Sequence, residues 1–221
     1  MQKKLNNYAV LWDLDGTIVD TSEPHFISWR DTLDEIGINY SRDDFRTVFG
    51  VNNAGGLKLL YGDRISPELR RALGEKKELI FLELIRKGLE PLPGVLEWLE
   101  KLQNWGVKQA IASSAPMGNI DALVDGLGIR QYFEAIVSGA ELLPKPNPDV
   151  FLKAASELGV PAERCMVFED AVAGVNGALN AGMRCVALQT SNSAEGLQAA
   201  NLLLKDLTDL SEEMFLRLIE D

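Results

Sequence analysis

Two carboxylates two residues apart, Asp13 and Asp15 in Asp13-Leu14-Asp15-Gly16-Thr17, directly follow the apolar run Tyr8-Ala9-Val10-Leu11-Trp12. The run reads as a buried strand and Gly16 as the turn that ends it. Both acids are then delivered at a strand's carboxyl end, where open α/β sheets bind ligands. Alternation along a strand points Asp13 and Asp15 the same way, roughly 6 to 7 Å apart, within reach of one metal ion or one phosphate. Two aligned carboxylates repel each other, so a cation, a proton or a reaction has to justify them.

Three further polar features fall after apolar runs. Ser113 and Ser114 follow an expected strand over 107–112 and could offer hydroxyls and free backbone N–H groups to a phosphate oxygen; serine there also serves as a turn or helix cap. Lys145 stands in Pro144-Lys145-Pro146-Asn147-Pro148, where three prolines stiffen the backbone. Its compact cation could offset a carboxylate nucleophile or a phosphoryl oxygen, or be an ordinary exposed lysine. Glu169-Asp170 follow the run Cys165-Met166-Val167-Phe168 and precede a small-residue helix with Gly174 and Gly177, which let that helix lie close on the sheet. They read either as helix caps or as a second acid pair suited to Mg²⁺. All four features fall at one edge of a single expected sheet, and together they supply a nucleophile, an acid/base, phosphate-holding groups and ligands for a hard cation.

The elements that must position these groups follow from periodicity. A helix is expected over 23–36, with Pro24 in its first turn and Gly37 as its stop, then a short helix from a Ser41 cap and a third from Ser66-Pro67 to about 87–88. Beyond Pro93 the pattern alternates: helix 94–105, strand 107–112, helix 119–127, strand 135–138, helix 149–158, strand 165–168, helix 171–181, strand 184–188, a short apolar run 202–204 and a terminal helix. Such alternation predicts an α/β fold with a parallel sheet. The expected architecture is a catalytic core of residues 1–19 plus 89–221, interrupted by a helical cap of residues 20–88 that reads as a lid over the first acid pair.

Composition narrows the function. With 221 residues and 46% hydrophobic content the chain can bury one core and a small second unit. The balance of 22 basic against 33 acidic residues, a formal charge of −11, argues against nucleic-acid or anionic-membrane partners. The first seven residues lack the apolar segment of a signal peptide and no run approaches bilayer length, so a cytoplasmic protein is expected. Cys165 and Cys185 sit in apolar runs and read as buried reduced thiols. His25 is the only histidine and no nucleophile elbow accompanies it, which disfavours a Ser-His-Asp hydrolase. One core and a cap-core seam account for the apolar helix faces, so a monomer is expected.

In that order, the Asp13-Leu14-Asp15-Gly16-Thr17 motif, Ser113, Lys145 and Glu169-Asp170 resemble the four motifs of the haloacid dehalogenase superfamily. The insert after the first motif resembles the small helical cap of its β-phosphoglucomutase-like branch. The resemblance implies a Rossmann-like core and a Mg²⁺-dependent phosphatase acting on a small phosphorylated metabolite such as a sugar phosphate. Asp13 would attack phosphorus to form an aspartyl-phosphate, and Asp15, which the superfamily's dehalogenases lack, would protonate the leaving oxygen and then activate water. Asp13, the Asp15 backbone carbonyl and Asp170 would hold Mg²⁺ with support from Glu169, while Ser113 and Lys145 would hold the phosphoryl group.

Within the cap, Thr21 and His25 lie just past the catalytic loop, and His25 resembles a substrate-facing or acid/base-positioning histidine, although a partly exposed helix residue would read the same. Lys77, in preference to Lys76, resembles a lysine that related caps send toward the substrate; snorkelling at the stripe's edge would also place it. Ser114 joins Thr21, His25 and Lys77 as an expected substrate contact. A mutase of this branch carries an arginine after the glycine matched to Gly50 and a Ser-Lys-Asn run after the second motif. Here those stretches read Val51-Asn52-Asn53-Ala54-Gly55 and Ala115-Pro116-Met117, which favours a phosphatase over a sugar-phosphate mutase, with an inorganic pyrophosphatase as a further alternative.

Overall fold

The computed structural model describes residues 5–86 and 88–220. Six strands, β1 (Ala9–Trp12), β2 (Lys108–Ser113), β3 (Ala135–Ser138), β4 (Cys165–Glu169), β5 (Arg184–Leu188) and β6 (Leu202–Leu204), form a parallel sheet in the order β3-β2-β1-β4-β5-β6. The strands read as continuous apolar runs because helices cover both faces. On one face Val10 and Trp12 of β1 pack with Trp98 and Leu99 of α5 (Val95–Trp105), Ile120 of α6 (Met117–Gly126) and Phe215 of α10 (Glu212–Glu220). On the other, Ala9 and Leu11 pack with Phe151 of α7 (Asp149–Leu158) and Val175 of α8 (Val172–Asn180).

The strand order reverses at β1, which pairs with β2 on one side and β4 on the other. The loops leaving β1 and β4 therefore diverge and open a crevice at the sheet's carboxyl edge.

Between β1 and α5 come α1 (Ser22–Asp34), α2 (Arg42–Val48), α3 (Asn53–Tyr61) and α4 (Pro67–Ile85). Phe26, Trp29, Leu33, Phe45, Leu57 and Leu73 form a cluster of their own, whereas Phe81 and Ile85 at the end of α4 belong to the layer over the sheet. The two connections to the core run side by side: Val19 bridges Pro91, and the Leu92 N–H donates to the Ile18 carbonyl at 2.8 Å.

Most elements lie within two residues of their expected positions, and α2 starts as read, with a capping box between Ser41 and Asp44. The segment that sequence reasoning missed is α3. Gly55 and Gly56 argue against a helix there, each costing about 1 kcal/mol in propensity. Asn52 compensates by accepting the Gly55 N–H at 2.9 Å, and Gly56 lets α3 lie against α2, since a Cβ there would sit 3.3 Å from the Val48 Cβ. A four-residue helix, α9 (Ala194–Leu197), also went unread. Both cysteines are free and buried, and among the described residues no helix is long and apolar enough to cross a membrane.

Candidate active site

Side-chain alternation carries Leu11 and Val167 to the α7 face, so Asp13 and Glu169, two residues further on, emerge on that same face. Lys145 enters there from the loop before α7. Its Nζ donates to Asp13 Oδ1 at 2.6 Å and to Glu169 Oε1 at 2.7 Å, and the ammonium lies 4.9 Å from the centre of the Phe151 ring. Lys145 is only 2% exposed, so the proline-framed lysine is a buried bridge between two strand ends.

Asp170 completes the acid cluster. Its Oδ1 accepts from the Thr17 hydroxyl at 3.2 Å and its Oδ2 from the Ser191 hydroxyl. Gly16 makes room for it: at φ +89° a Cβ there would lie 2.1 Å from Asp170 Oδ2. Ser191 belongs to a polar run after β5 that sequence reasoning passed over. Thr190 donates to the Gly16 carbonyl and Asn192 to the Asp170 carbonyl at 3.1 Å, which ties the first and last acid loops together. Hydroxyl and amide residues after a fifth strand were the available signal.

Ligand oxygens of Asp13, Glu169 and Asp170 all lie within 4.8 Å of one another. Three buried carboxylates face one lysine, and the charge does not balance. Burial pushes Asp13 up to about 8, with the Glu169 and Asp15 carboxylates adding to the rise and Lys145 opposing it. Burial, Glu169 and Asp13 likewise hold Asp170 well above the usual carboxylate range. Burial alone would lower Lys145, but Asp13 and Glu169 outweigh it and hold the ammonium charged. An all-oxygen, net-anionic cradle of this kind fits a hard divalent cation.

Glu169 also accepts the N–H groups of Asp170 and Ala171 on Oε2, both at 2.7 Å, in the turn that leads into α8. Gly174 allows this, because a Cβ there would fall 1.6 Å from Glu169 Oε1. The carboxylate, pinned from both ends, cannot yield without releasing Lys145 or the N–H groups of the turn before α8. Gly174→Ala is therefore expected to cost about 2–3 kcal/mol of stability. A denaturant titration showing an unchanged midpoint would contradict this assignment of the glycine.

Asp15 lies outside the acid cluster. Its Oδ1 accepts from the Thr21 hydroxyl at 2.6 Å and meets His25 Nε2 at 3.1 Å, while Oδ2 has no protein donor among the described residues. Lys77 Nζ stands 2.7 Å from His25 Nδ1. An ammonium can only donate, which makes Nδ1 the acceptor and leaves the ring proton on Nε2, directed at Asp15. Burial would raise Asp15, but His25, Thr21 and Lys77 together hold it below its usual value. Burial and Lys77 lower His25, which stacks on Phe81 at 4.1 Å between ring centres. Lys77 is 1% exposed and points inward, whereas Lys76 makes a surface ion pair with Glu35.

Asp13, Asp15, His25, Lys77 and Ser114 line a cleft between the inserted helices and the sheet edge. The Ser114 hydroxyl is engaged, donating to the Gly50 carbonyl at 2.9 Å, and so joins the insert to the core. Ser113 is fully buried, with its Oγ accepting the Ala115 N–H at 3.0 Å. Glu78, which the sequence did not single out, lines the same cleft beside Lys77.

This chain resembles β-phosphoglucomutase of Bacillus subtilis, with 33% identity over 217 residues that cover 93% of this chain and 92% of that one. Fructose-1-phosphate phosphatase of Escherichia coli is 31% identical over 187 residues, 80% of this chain and 94% of that one. A chloroplast protein of Arabidopsis thaliana, SUPPRESSOR OF QUENCHING 1, is 35% identical over 213 residues, but the chain spans only 20% of its length. Among solved structures, β-phosphoglucomutase from Clostridium difficile superposes with a TM-score of 0.86 at 26% identity, covering 96% of this chain and 97% of that one. The model of the family described as haloacid dehalogenase-like hydrolase matches residues 10–188, from the first buried strand through β5 with the acid-bearing loops inside it, and the chain belongs to that family.

Proposed function

We propose that the chain releases phosphate from a small phosphomonoester in two transfers through Asp13. The observation that carries this reading is the division between two carboxylates of one loop. Asp13 is held by Lys145 inside the acid cluster, whereas Asp15 is held outside it by Thr21 and His25 on one oxygen only. Held by different partners, the two acids can take different roles: a divalent cation in the acid cluster would keep Asp13 a carboxylate able to attack, and the open oxygen of Asp15 is left to move a proton.

In the first transfer an Asp13 oxygen bonds to phosphorus, the bond from phosphorus to the ester oxygen breaks, and Asp15 gives its proton to the leaving alcohol. In the second, Asp15 takes a proton from water, the water oxygen bonds to phosphorus, and the bond to Asp13 breaks to free phosphate. With Lys77 directing the His25 proton toward Asp15, the resting arrangement holds Asp15 as a carboxylate, the form the second transfer needs; the proton for the first transfer enters with the phosphomonoester as its monoanion, passes through the open Asp15 oxygen to the leaving alcohol, and the one taken from water leaves with the freed phosphate. Lys145 holds Asp13 in place and offsets negative charge beside it.

Asp13, Glu169 and Asp170 would hold Mg²⁺, with the Asp15 carbonyl as the family resemblance implies. When bound, the ion supplies charge neutralisation for the acids and for the phosphoryl oxygens. Residues 20–88 act as the cap in this reading, and the relatives named as acting on phosphorylated sugars point to a sugar phosphate.

Phosphate release from a panel of sugar phosphates should appear with Mg²⁺, vanish with a chelator, and need no glucose 1,6-bisphosphate primer. Independently of activity, Mg²⁺ should raise the thermal midpoint of the metal-free protein. Absence of release from every phosphoester would overturn the reading, and primer dependence would turn it into a mutase.

A further inference from the structure

We infer that the cleft accepts a phosphomonoester whose far end is uncharged, and that Glu78 excludes a second phosphoryl group by cancelling the one lysine on the cleft wall. This rests on the phosphomonoester reading above and assigns the substrate's other end. The wall contributed by the inserted helices is lined by Trp29, Tyr40, Phe45 and Phe49 and by Asn53, whose Oδ1 accepts no hydrogen bond among the described residues. Aromatic rings beside an open amide oxygen suit the C–H faces and hydroxyls of a sugar-sized polyol. A phosphoryl dianion at that end would instead need a cation free to meet it.

Among the described residues lining the cleft, Lys77 is the only lysine or arginine, and its donors are spent. Nζ stands 2.7 Å from His25 Nδ1 and 3.0 and 3.1 Å from the two oxygens of Glu78. Glu78 cannot swing aside to release it. Oε1 also accepts from Asn53 Nδ2 at 2.6 Å, and Oε2 from the Asn119 side chain, so donors on α3, α4 and α6 grip the carboxylate. Burial would favour its neutral form, but Lys77 and the Asn53 amide outweigh burial and keep Glu78 ionised. The Lys77–Glu78 pair is close to neutral as a unit, and Glu78 adds to Asp13 and Asp15 in repelling any further anion that enters the cleft. A tail bearing hydroxyls meets no such opposition.

The test compares glucose 1-phosphate with glucose 1,6-bisphosphate and fructose 1-phosphate with fructose 1,6-bisphosphate, by kcat/KM in the parent enzyme and by Kd in an Asp13→Asn background, both with Mg²⁺. At least one monophosphate should be favoured over its bisphosphate more than tenfold. In Glu78→Gln the bisphosphate-to-monophosphate ratio should rise at least fivefold, chiefly through a lower KM for the bisphosphate. Should Glu78→Gln fail to fold, Val51→Arg, which places a new cation on the same wall and leaves Glu78 intact, should raise that ratio by a similar factor. Parity between each pair in the parent, binding of no monophosphate at 10 mM, or a ratio unmoved in the folded variants would overturn the inference. Absence of phosphate release with the Kd preference intact would overturn only the hydrolytic reading and leave this one standing.

Discussion

Asp13→Asn is expected to lower phosphate release by at least about a thousandfold, because the amide can neither attack phosphorus nor keep the negative charge that a divalent cation requires. The fold should survive. Asp13 shares its environment with Glu169 and Asp170, and one carboxylate fewer relieves a repulsion that Lys145 alone cannot offset. Lys145 keeps its contact with Glu169 in the variant. The thermal midpoint in EDTA should therefore lie at or above that of the parent, while the stabilisation by Mg²⁺ shrinks. This split between activity and stability distinguishes a nucleophile from a structural acid. A variant that still turns over at more than a tenth of the parental rate would eliminate Asp13 as the attacking group.

Lys145→Met should have the largest effect on stability. The lysine is 2% exposed and bonded to two buried carboxylates, so its removal leaves Asp13, Glu169 and Asp170 without a cation in the metal-free protein. Breaking a buried ion pair from one side costs about 3–5 kcal/mol. The pH dependence has a definite sign. Asp13 stands at about 8 in the folded chain and Asp170 is also raised, so between the ordinary carboxylate range and those values the folded form holds more protons than the unfolded form. That contribution favours folding in acid and is lost as pH rises through the folded value. Without Lys145 both acids rise further, so the deficit relative to the parent should be larger at pH 8 than at pH 5. Thermal unfolding in EDTA across this range measures it, and a deficit that is absent at pH 8 or larger at pH 5 would refute the charge argument.

Gly174 shows how reading the sequence can locate a constraint and miss its object. A glycine early in a helix was expected to permit close packing on the sheet. The space it leaves is occupied by the Glu169 carboxylate, which would collide with any Cβ at that position. Only the folded arrangement shows that the helix start and the acid loop compete for one volume. Ser114 is a similar case, since its hydroxyl meets the Gly50 carbonyl between the inserted helices and the sheet edge, 64 residues away in sequence.

The sequence by itself determined the alternation of apolar runs and helices, and with it the parallel sheet and the edge to which Asp13, Ser113, Lys145 and Glu169-Asp170 are delivered. These are local properties, set by periodicity and by the turn that follows each strand. Tertiary structure decided which of the groups touch. It separated Asp15 from Asp13 by giving one to Thr21 and His25 and the other to Lys145. It brought Thr190, Ser191 and Asn192 onto the loops of Gly16 and Asp170, and it set Glu78 between Lys77, Asn53 and Asn119. The contacts of Lys145 with Asp13, of Thr190, Ser191 and Asn192 with the loops of Gly16 and Asp170, and of Glu78 with Asn53 and Asn119 join residues far apart along the chain, and their distances depend on how separate elements pack, which no local pattern encodes.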